Sequence, residues 1–263
     1  MSDLRPRRPL VLDGPIGTRL IDLGLDLDHD DPSVWNLLRP DDVLAIHSAD
    51  VAAGADAVLT NTMGGNRAWL ARYGRGGDVK AINRRAVALA RTAAGPNRLV
   101  IGSVGPAAAN EPDAVREQVD FLAEAGVDAI LFETCARREA SDLIAAVNVR
   151  LPLIASFYTT DDGLGDELRR LEDAGVAVVG INCSPGCAEA CDQLQRLRAL
   201  TDLPLWVKPN GGPTEGPEQF AAAVPRWLAL GVRFLGGCCG ATEAHVAAIR
   251  AACDAEETGG RRQ

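Results

Sequence analysis

Positive charge is scarce in this chain: 27 lysines and arginines face 36 aspartates and glutamates, for a formal net charge of −9. That balance excludes the basic surface that nucleic acid or an anionic membrane would need. No apolar run approaches the length of a membrane span. Met1 to Arg8 is polar and basic, with no apolar stretch of signal-peptide length behind it, so no secretory leader is expected. The even, dense cysteine framework of a small secreted domain is also missing. Seven cysteines are an odd count in a chain of 263 residues, and a reducing cytoplasm is the expected setting. No apolar run leads into the G-x-G-x-x-G turn of a dinucleotide site. There is no linker and no second domain to mark off; residues 1–255 read as one domain, and only Glu256 to Gln263 reads as a disordered tail.

What is present is an alternation. Short runs rich in Val, Ile and Leu predict strands at Pro9–Asp13, Ala57–Asn61, Leu99–Val104, Ala129–Glu133, Leu153–Phe157, Ala177–Asn182, Leu205–Lys208 and Arg233–Gly236. Helical spacing fills the intervals: Asp41–Ala53, Val79–Ala93, Asp113–Ala125, Glu139–Asn148, Leu164–Ala174, Cys187–Ala199, Pro217–Leu230 and Thr242–Cys253. The phrases Ala53-Gly54-Ala55, Ala125-Gly126-Val127, Ala174-Gly175-Val176 and Leu230-Gly231-Val232 fit a helix stop followed by a strand start. Near-continuous apolar strands between helices mean a parallel sheet covered on its outer face. Eight such units favour a closed single-domain (β/α)8 TIM barrel over an open doubly wound sheet.

A barrel puts its functional residues at the C-terminal ends of its strands, and the polar and metal-binding residues gather there. Asp13-Gly14 ends the first strand and Thr60-Asn61-Thr62 the second. Gly102-Ser103 closes the third, Glu133-Thr134 the fourth, Asn182-Cys183 the sixth and Lys208-Pro209-Asn210 the seventh; Gly237-Cys238-Cys239-Gly240 follows the eighth. Adjacent strand residues point to opposite faces, so two neighbouring thiols converge only where the strand breaks into a loop, and the flanking glycines supply that break. With Cys183 they make a soft, anionic three-thiol set of the kind that selects zinc. Three ligands leave one position open, as a catalytic zinc requires. Cys135, Cys187, Cys191 and Cys253 are expected to be small core residues. His29, His47 and His245 are expected on helices or the surface, Trp206 and Phe157 in the barrel core, and Tyr158 at the mouth.

These pieces carry a resemblance. Asp13-Gly14 with Gly17-Thr18, Gly54-Ala55-Asp56 leading to Thr60-Asn61-Thr62, Glu133-Thr134, Asn182-Cys183, Pro209-Asn210-Gly211-Gly212 and Gly237-Cys238-Cys239-Gly240 together resemble the homocysteine S-methyltransferases. That family includes enzymes using S-methylmethionine or betaine and the homocysteine-binding barrel of cobalamin-dependent methionine synthase. The resemblance implies Zn2+ on Cys183, Cys238 and Cys239, and acidic residues at Asp13 and Glu133 beside the homocysteine amino group. Two departures stand out: Pro15 where the family usually has a second glycine after Asp-Gly, and Met63 where it usually has phenylalanine. Proline has no backbone N–H, so position 15 has no amide to offer a substrate carboxylate.

The chemistry this implies is methyl transfer to homocysteine or a close thiol, forming methionine. The expected donor is a cation with a good leaving group, S-methylmethionine first among them. A thiol is mostly protonated at neutral pH, and the thiolate is the nucleophile; zinc would favour the thiolate and aim it. Asp13 and Glu133 suit a substrate ammonium, the amides around Gly14 and Gly17 a carboxylate. Asn61, Asn182 and Asn210 are candidate orienting groups. One rival is a thiol-activating subunit served by a separate corrinoid protein. Another, from a different class, is a non-catalytic barrel sensing zinc or redox state through its thiols.

Overall fold

Each of the eight apolar runs forms a strand in the computed structural model, which describes residues 4, 6–106, 111–135, 139–160 and 163–260. They are β1 (Leu10–Val11), β2 (Ala57–Leu59), β3 (Leu99–Val104), β4 (Ala129–Cys135), β5 (Leu153–Phe157), β6 (Val178–Asn182), β7 (Leu205–Lys208) and β8 (Val232–Leu235). All neighbours pair in parallel, in the order β1-β8-β7-β6-β5-β4-β3-β2. The ends meet through a parallel bridge between Leu12 and Ala57. Hydrogen bonds from Asp13 N to Ala57 O (3.1 Å) and from Asp56 N to Val11 O (2.7 Å) complete that seam. The (β/α)8 barrel is closed.

Period-two alternation divides the apolar side chains between two cores. Ala57, Leu59, Ile101, Leu131, Ile154 and Trp206 fill the barrel, with Phe234 stacked on Trp206 at 5.8 Å between ring centroids. Val58, Val100, Ile130, Phe132, Val179 and Val207 point outward into the layer beneath the helices. Cys135, Cys187, Cys191 and Cys253 lie in that outer layer, as small core residues do. The four glycines expected to stop helices, Gly54, Gly126, Gly175 and Gly231, all have positive φ.

Three differences from the sequence reading bear on function. Between β1 and the first barrel helix (Pro40–Ala52) the chain adds a short helix at Ile16–Asp22, a 3-10 turn at Pro32–Val34 and one helical turn at Trp35–Leu38. After β2 it adds a helix at Arg67–Ala71. These segments are too short to show helical periodicity, and they wall the mouth of the barrel. The last helix runs from Glu243 to Gly260 and so continues into the segment read as a disordered tail, where Thr258 Oγ1 donates back to Asp254 O and Ala255 O; 261–263 lie outside the described residues. Among the described residues no helix is long and apolar enough to cross a membrane.

His47, on the helix Pro40–Ala52, is fully buried with no hydrogen-bond partner on either ring nitrogen. Burial pushes its pKa down to about 4; the nearby charges of Asp13 and Arg19 act in opposite directions. Between about 4 and the ordinary 6.5 the folded protein thus binds fewer protons than the unfolded chain, so this group makes stability rise as pH rises through that window. Asp50, pushed up to about 6 by burial and by the charge of Asp13, works in the opposite sense. Replacing His47→Leu should therefore lower the pH slope of the unfolding free energy across this window by up to about one bound proton. Urea titrations of both proteins from pH 4 to 6.5 measure it, and an unchanged slope would mean that His47 is not held neutral.

Candidate active site

Cys183, Cys238 and Cys239 converge at the C-terminal rim. Their sulfurs lie within 4.8 Å of one another, and Cys183 Sγ and Cys238 Sγ are 2.9 Å apart. The backbone of the β7 loop sets both sides of this cluster. Cys183 N donates to Lys208 O at 3.0 Å and Cys238 N to Pro209 O at 2.7 Å. Gly211 N then donates to Cys239 O at 2.9 Å. Gly240 has φ 78°, and a Cβ there would lie 2.7 Å from Gly211 O, so only glycine lets the β7 and β8 loops close on each other.

Cys183 itself sits in the left-handed region, at φ 57°, as does Thr134 at φ 58°. A residue other than glycine held there costs about 1–2 kcal/mol and needs outside support. Asn182 supplies it at both places. Its Oδ1 accepts from Thr134 N (3.1 Å) and Ser156 Oγ (2.7 Å), and its Nδ2 donates to Thr134 Oγ1 (2.8 Å) and lies 3.4 Å from Cys183 Sγ. The Thr134 conformation coincides with a slip in register of β4 against β5 between Phe132 and Cys135. That bulge turns the chain as Glu133 reaches the rim.

The thiols do not share charge equally. Hydrogen bonding from the Cys183 and Cys238 thiols pulls Cys239 down to about 2, and the same crowding pushes Cys238 well above the usual thiol range. Cys239 is exposed. Proton loss from the cluster is thus favoured at its open side. Among the described residues no fourth Cys, His, Asp or Glu joins it. Three converging sulfur donors with no fourth protein ligand fit a soft divalent ion bound with an open position.

A cavity of about 400 Å³ opens over the cluster, lined by all three cysteines together with Gly14, Glu133 and Lys208. Glu133 Oε1 accepts a hydrogen bond from Ser103 Oγ, and burial raises its pKa against the opposing effects of that bond and of Lys208. Asp13 does not line the cavity. It is fully buried; its Oδ2 accepts from Leu59 N at 2.7 Å and its Oδ1 from Lys208 Nζ at 2.8 Å. The partner comes from β7, across β8. Gly236 permits the crossing, since a Cβ there would lie 2.8 Å from Leu12 Cβ and 3.3 Å from Lys208 Cγ. The group that β1 and β7 together present at the cavity is therefore an ammonium, where a carboxylate was expected.

The asparagines too are engaged within the protein. Asn61 Nδ2 donates to Pro32 O (2.7 Å), pinning the inserted turn, while Asn36 Nδ2 donates to Asn61 O (2.7 Å). Asn210 Nδ2 donates to Cys183 O at 3.2 Å. Neither of these, nor Asn182, lines the cavity. Tyr158 is 47% exposed and also lies off it, while Tyr73 and Trp69 form its outer wall with Leu27, Pro32 and Met63. Trp69 Nε1 donates to Asp31 Oδ2 at 2.8 Å, and Asp31 also accepts from Ser33 N at 2.8 Å. Of these wall residues the sequence reading singles out Met63 alone. Two capping signals could have found the others: Asp31 before Pro32-Ser33, and Asn66, whose side chain accepts from Trp69 N.

A family model described as homocysteine S-methyltransferase matches residues 10–253. The chain belongs to the homocysteine S-methyltransferase family. Among its family relatives, the methionine synthase of Mycobacterium tuberculosis is 31% identical over 96% of this chain, which spans only 25% of that enzyme. The homocysteine S-methyltransferase of Escherichia coli is 29% identical, with 92% of this chain and 94% of the relative covered. The crystal structure of the Escherichia coli homocysteine methyltransferase MmuM in its metallated form aligns at a TM-score of 0.79 and 31% identity, covering 94% and 97% of the two chains. The motifs that carry the family resemblance thus coincide with the cysteine cluster and Glu133, while the aromatic wall comes from the insertions after β1 and β2.

Substituting Asn182→Ala removes the support of both left-handed residues, along with the 3.4 Å contact of Nδ2 to Cys183 Sγ, and leaves all three cysteines in place. Metal affinity should fall by about 10- to 100-fold, measured by competition with a chromogenic chelator, while far-ultraviolet circular dichroism stays that of the folded barrel. Unchanged affinity would mean that the Cys183 conformation does not depend on Asn182.

Proposed function

We propose that this chain transfers a methyl group to the thiol of homocysteine, with Zn2+ held by Cys183, Cys238 and Cys239 and S-methylmethionine as the donor. One observation carries the reading: three sulfurs gathered at a cavity of about 400 Å³ that also presents Glu133 and Lys208 and has an outer wall of apolar and aromatic side chains. When bound, zinc would supply a Lewis-acidic position that favours the thiolate form of the acceptor.

The protein's own residues do the rest. Glu133 takes the acceptor's ammonium; burial has already made its isolated charge unfavourable, so an incoming cation is strongly paired. Trp69 and Tyr73 give a sulfonium donor π-faces, and Asp31 fixes the Trp69 ring and adds negative potential. In the transfer the acceptor sulfur forms a bond to the methyl carbon as the donor's sulfur–methyl bond breaks. The donor leaves as a neutral thioether and the acceptor's thiol proton passes to solvent. A cation is lost as the transition state advances, so a dry, apolar wall assists the step by disfavouring the charged ground state more than the charge-dispersed transition state.

The similarity to a quarter of a methionine synthase favours one second reading, in which a separate corrinoid protein delivers the methyl group. A closed sensing site fits less well, since no fourth protein ligand joins the cluster among the described residues and a cavity adjoins it.

Purified protein with zinc, homocysteine and S-methylmethionine should form methionine with no corrinoid present. Absence of turnover with any small onium donor, and its appearance with a methylated corrinoid protein, would decide for the second reading. Replacing Cys239→Ala should remove most of the zinc, read by metal analysis, and all measurable turnover. A full equivalent of zinc in that variant would mean that the ligand set is wrong.

A further inference from the structure

The cavity holds a cation that neither the family motifs nor the proposed transfer uses. Lys208 ends β7, is only 4% exposed, and lines the cavity with Glu133 and the three cysteines. An ammonium carries three N–H donors. The described hydrogen bonds of Nζ account for one, to Asp13 Oδ1 at 2.8 Å. A buried ammonium with donors to spare is costly unless something else accepts them; Lys208 lines the cavity, where the charges of Glu133 and Cys238 also act on it.

Of the backbone donors expected to bind a substrate carboxylate at this rim, the one at Gly14 is engaged and position 15 has none, while Gly17 lines the cavity in the first turn of the Ile16–Asp22 helix. Gly14 N already donates to Asp50 Oδ2 at 3.2 Å, and Pro15, which lines the cavity beside it, has no N–H. An α-amino-acid acceptor brings one ammonium and one carboxylate. The cavity offers two carboxylates and one ammonium: Asp31 in the outer wall is already engaged by Trp69 Nε1 and Ser33 N, which leaves Glu133 beside the cysteines to pair with Lys208 as the two charges an amino acid would meet. We infer that Lys208, anchored by Asp13, binds the α-carboxylate of the acceptor, and that it stands in for the amide that Pro15 lacks as the determinant of amino-acid specificity. Asp13 then acts as a positioning residue that holds the ammonium at the cavity floor. This inference rests on the thiol-methyltransferase reading above.

The test compares homocysteine with 3-aminopropane-1-thiol, which has the same thiol and amine without the carboxylate. In the zinc-loaded protein, Lys208→Met should lower kcat/KM for homocysteine by about 100-fold, the scale of one charge-assisted hydrogen bond in a buried site. Turnover of the aminothiol should change little. Calorimetric titration with the thioethers methionine and 3-(methylthio)propylamine should give the same selective loss, with no methyl donor in the experiment. Lys208→Met leaves Asp13 buried without its partner, so the variant Asp13→Asn/Lys208→Met, which removes both charges, is measured beside it; thermal unfolding and zinc content identify the folded forms. Equal losses for the thiols with and without the carboxylate would overturn the assignment of Lys208 alone. Wild-type protein that methylates neither thiol would overturn the thiol-methyltransferase reading, and this inference with it.

Discussion

One buried carboxylate ties the barrel to its chemistry. Asp13 closes the seam between β1 and β2 by accepting from Leu59 N, and the same group reaches across β8 to the Lys208 ammonium of β7. Breaking the pair by removing one partner leaves a charge uncompensated in the interior, at a cost of about 3–5 kcal/mol. Barrel closure and the arrangement of the cavity floor are therefore not separable. The glycine at position 236 belongs to the same constraint, since any side chain there would press on the strand neighbour and on the lysine stem at once.

A second constraint works on the other side of the cavity. Thr134 and Cys183 both hold left-handed backbone, and one amide side chain supports both. Strain of this kind persists only where surrounding structure over-determines it. Here it lets the fourth and sixth strands deliver a carboxylate and a thiol to one cavity. The cost is met by ordinary hydrogen bonds below the rim, so the residues that face substrate keep their functional atoms available.

How much of this was legible in the sequence follows from the range of each signal. The eight strands were readable because burial on both faces leaves near-continuous runs such as Val100-Ile101 and Val178-Val179, bounded by glycine and followed by helical periodicity. The cysteine cluster was readable because paired thiols in a glycine frame have little use as packing. Asp13 was read at the barrel rim, but without the lysine that pairs with it. Nothing local says that a lysine 195 residues away will cross an intervening strand to meet it, although a lysine ending the run Leu205-Trp206-Val207 is a residue that burial obliges to pair. Asn61, Asn182 and Asn210 were read as facing substrate because strand ends at a barrel mouth usually do. A buried amide has four hydrogen-bonding sites to satisfy, and nearby protein groups claim those of Asn182 and the amide nitrogens of Asn61 and Asn210, while Asn210 Oδ1 is left without a partner. Trp69, Tyr73 and Asp31 stayed hidden because the segments carrying them are shorter than the periodicity that would reveal them.

The β7 loop has a consequence for how the cluster would come apart. Cys183 hangs from the carbonyl of Lys208, Cys238 from that of Pro209, and Cys239 receives the amide of Gly211. A single short stretch of chain, from Lys208 to Gly211, thus holds the backbone of all three cysteines, which come from two segments 55 residues apart. Displacements of the ligands are correlated, and a fluctuation that loosens one loosens the others. An ion held there would be released in a single cooperative opening, without a ladder of partly liganded states, and its residence time would report the rigidity of that one loop.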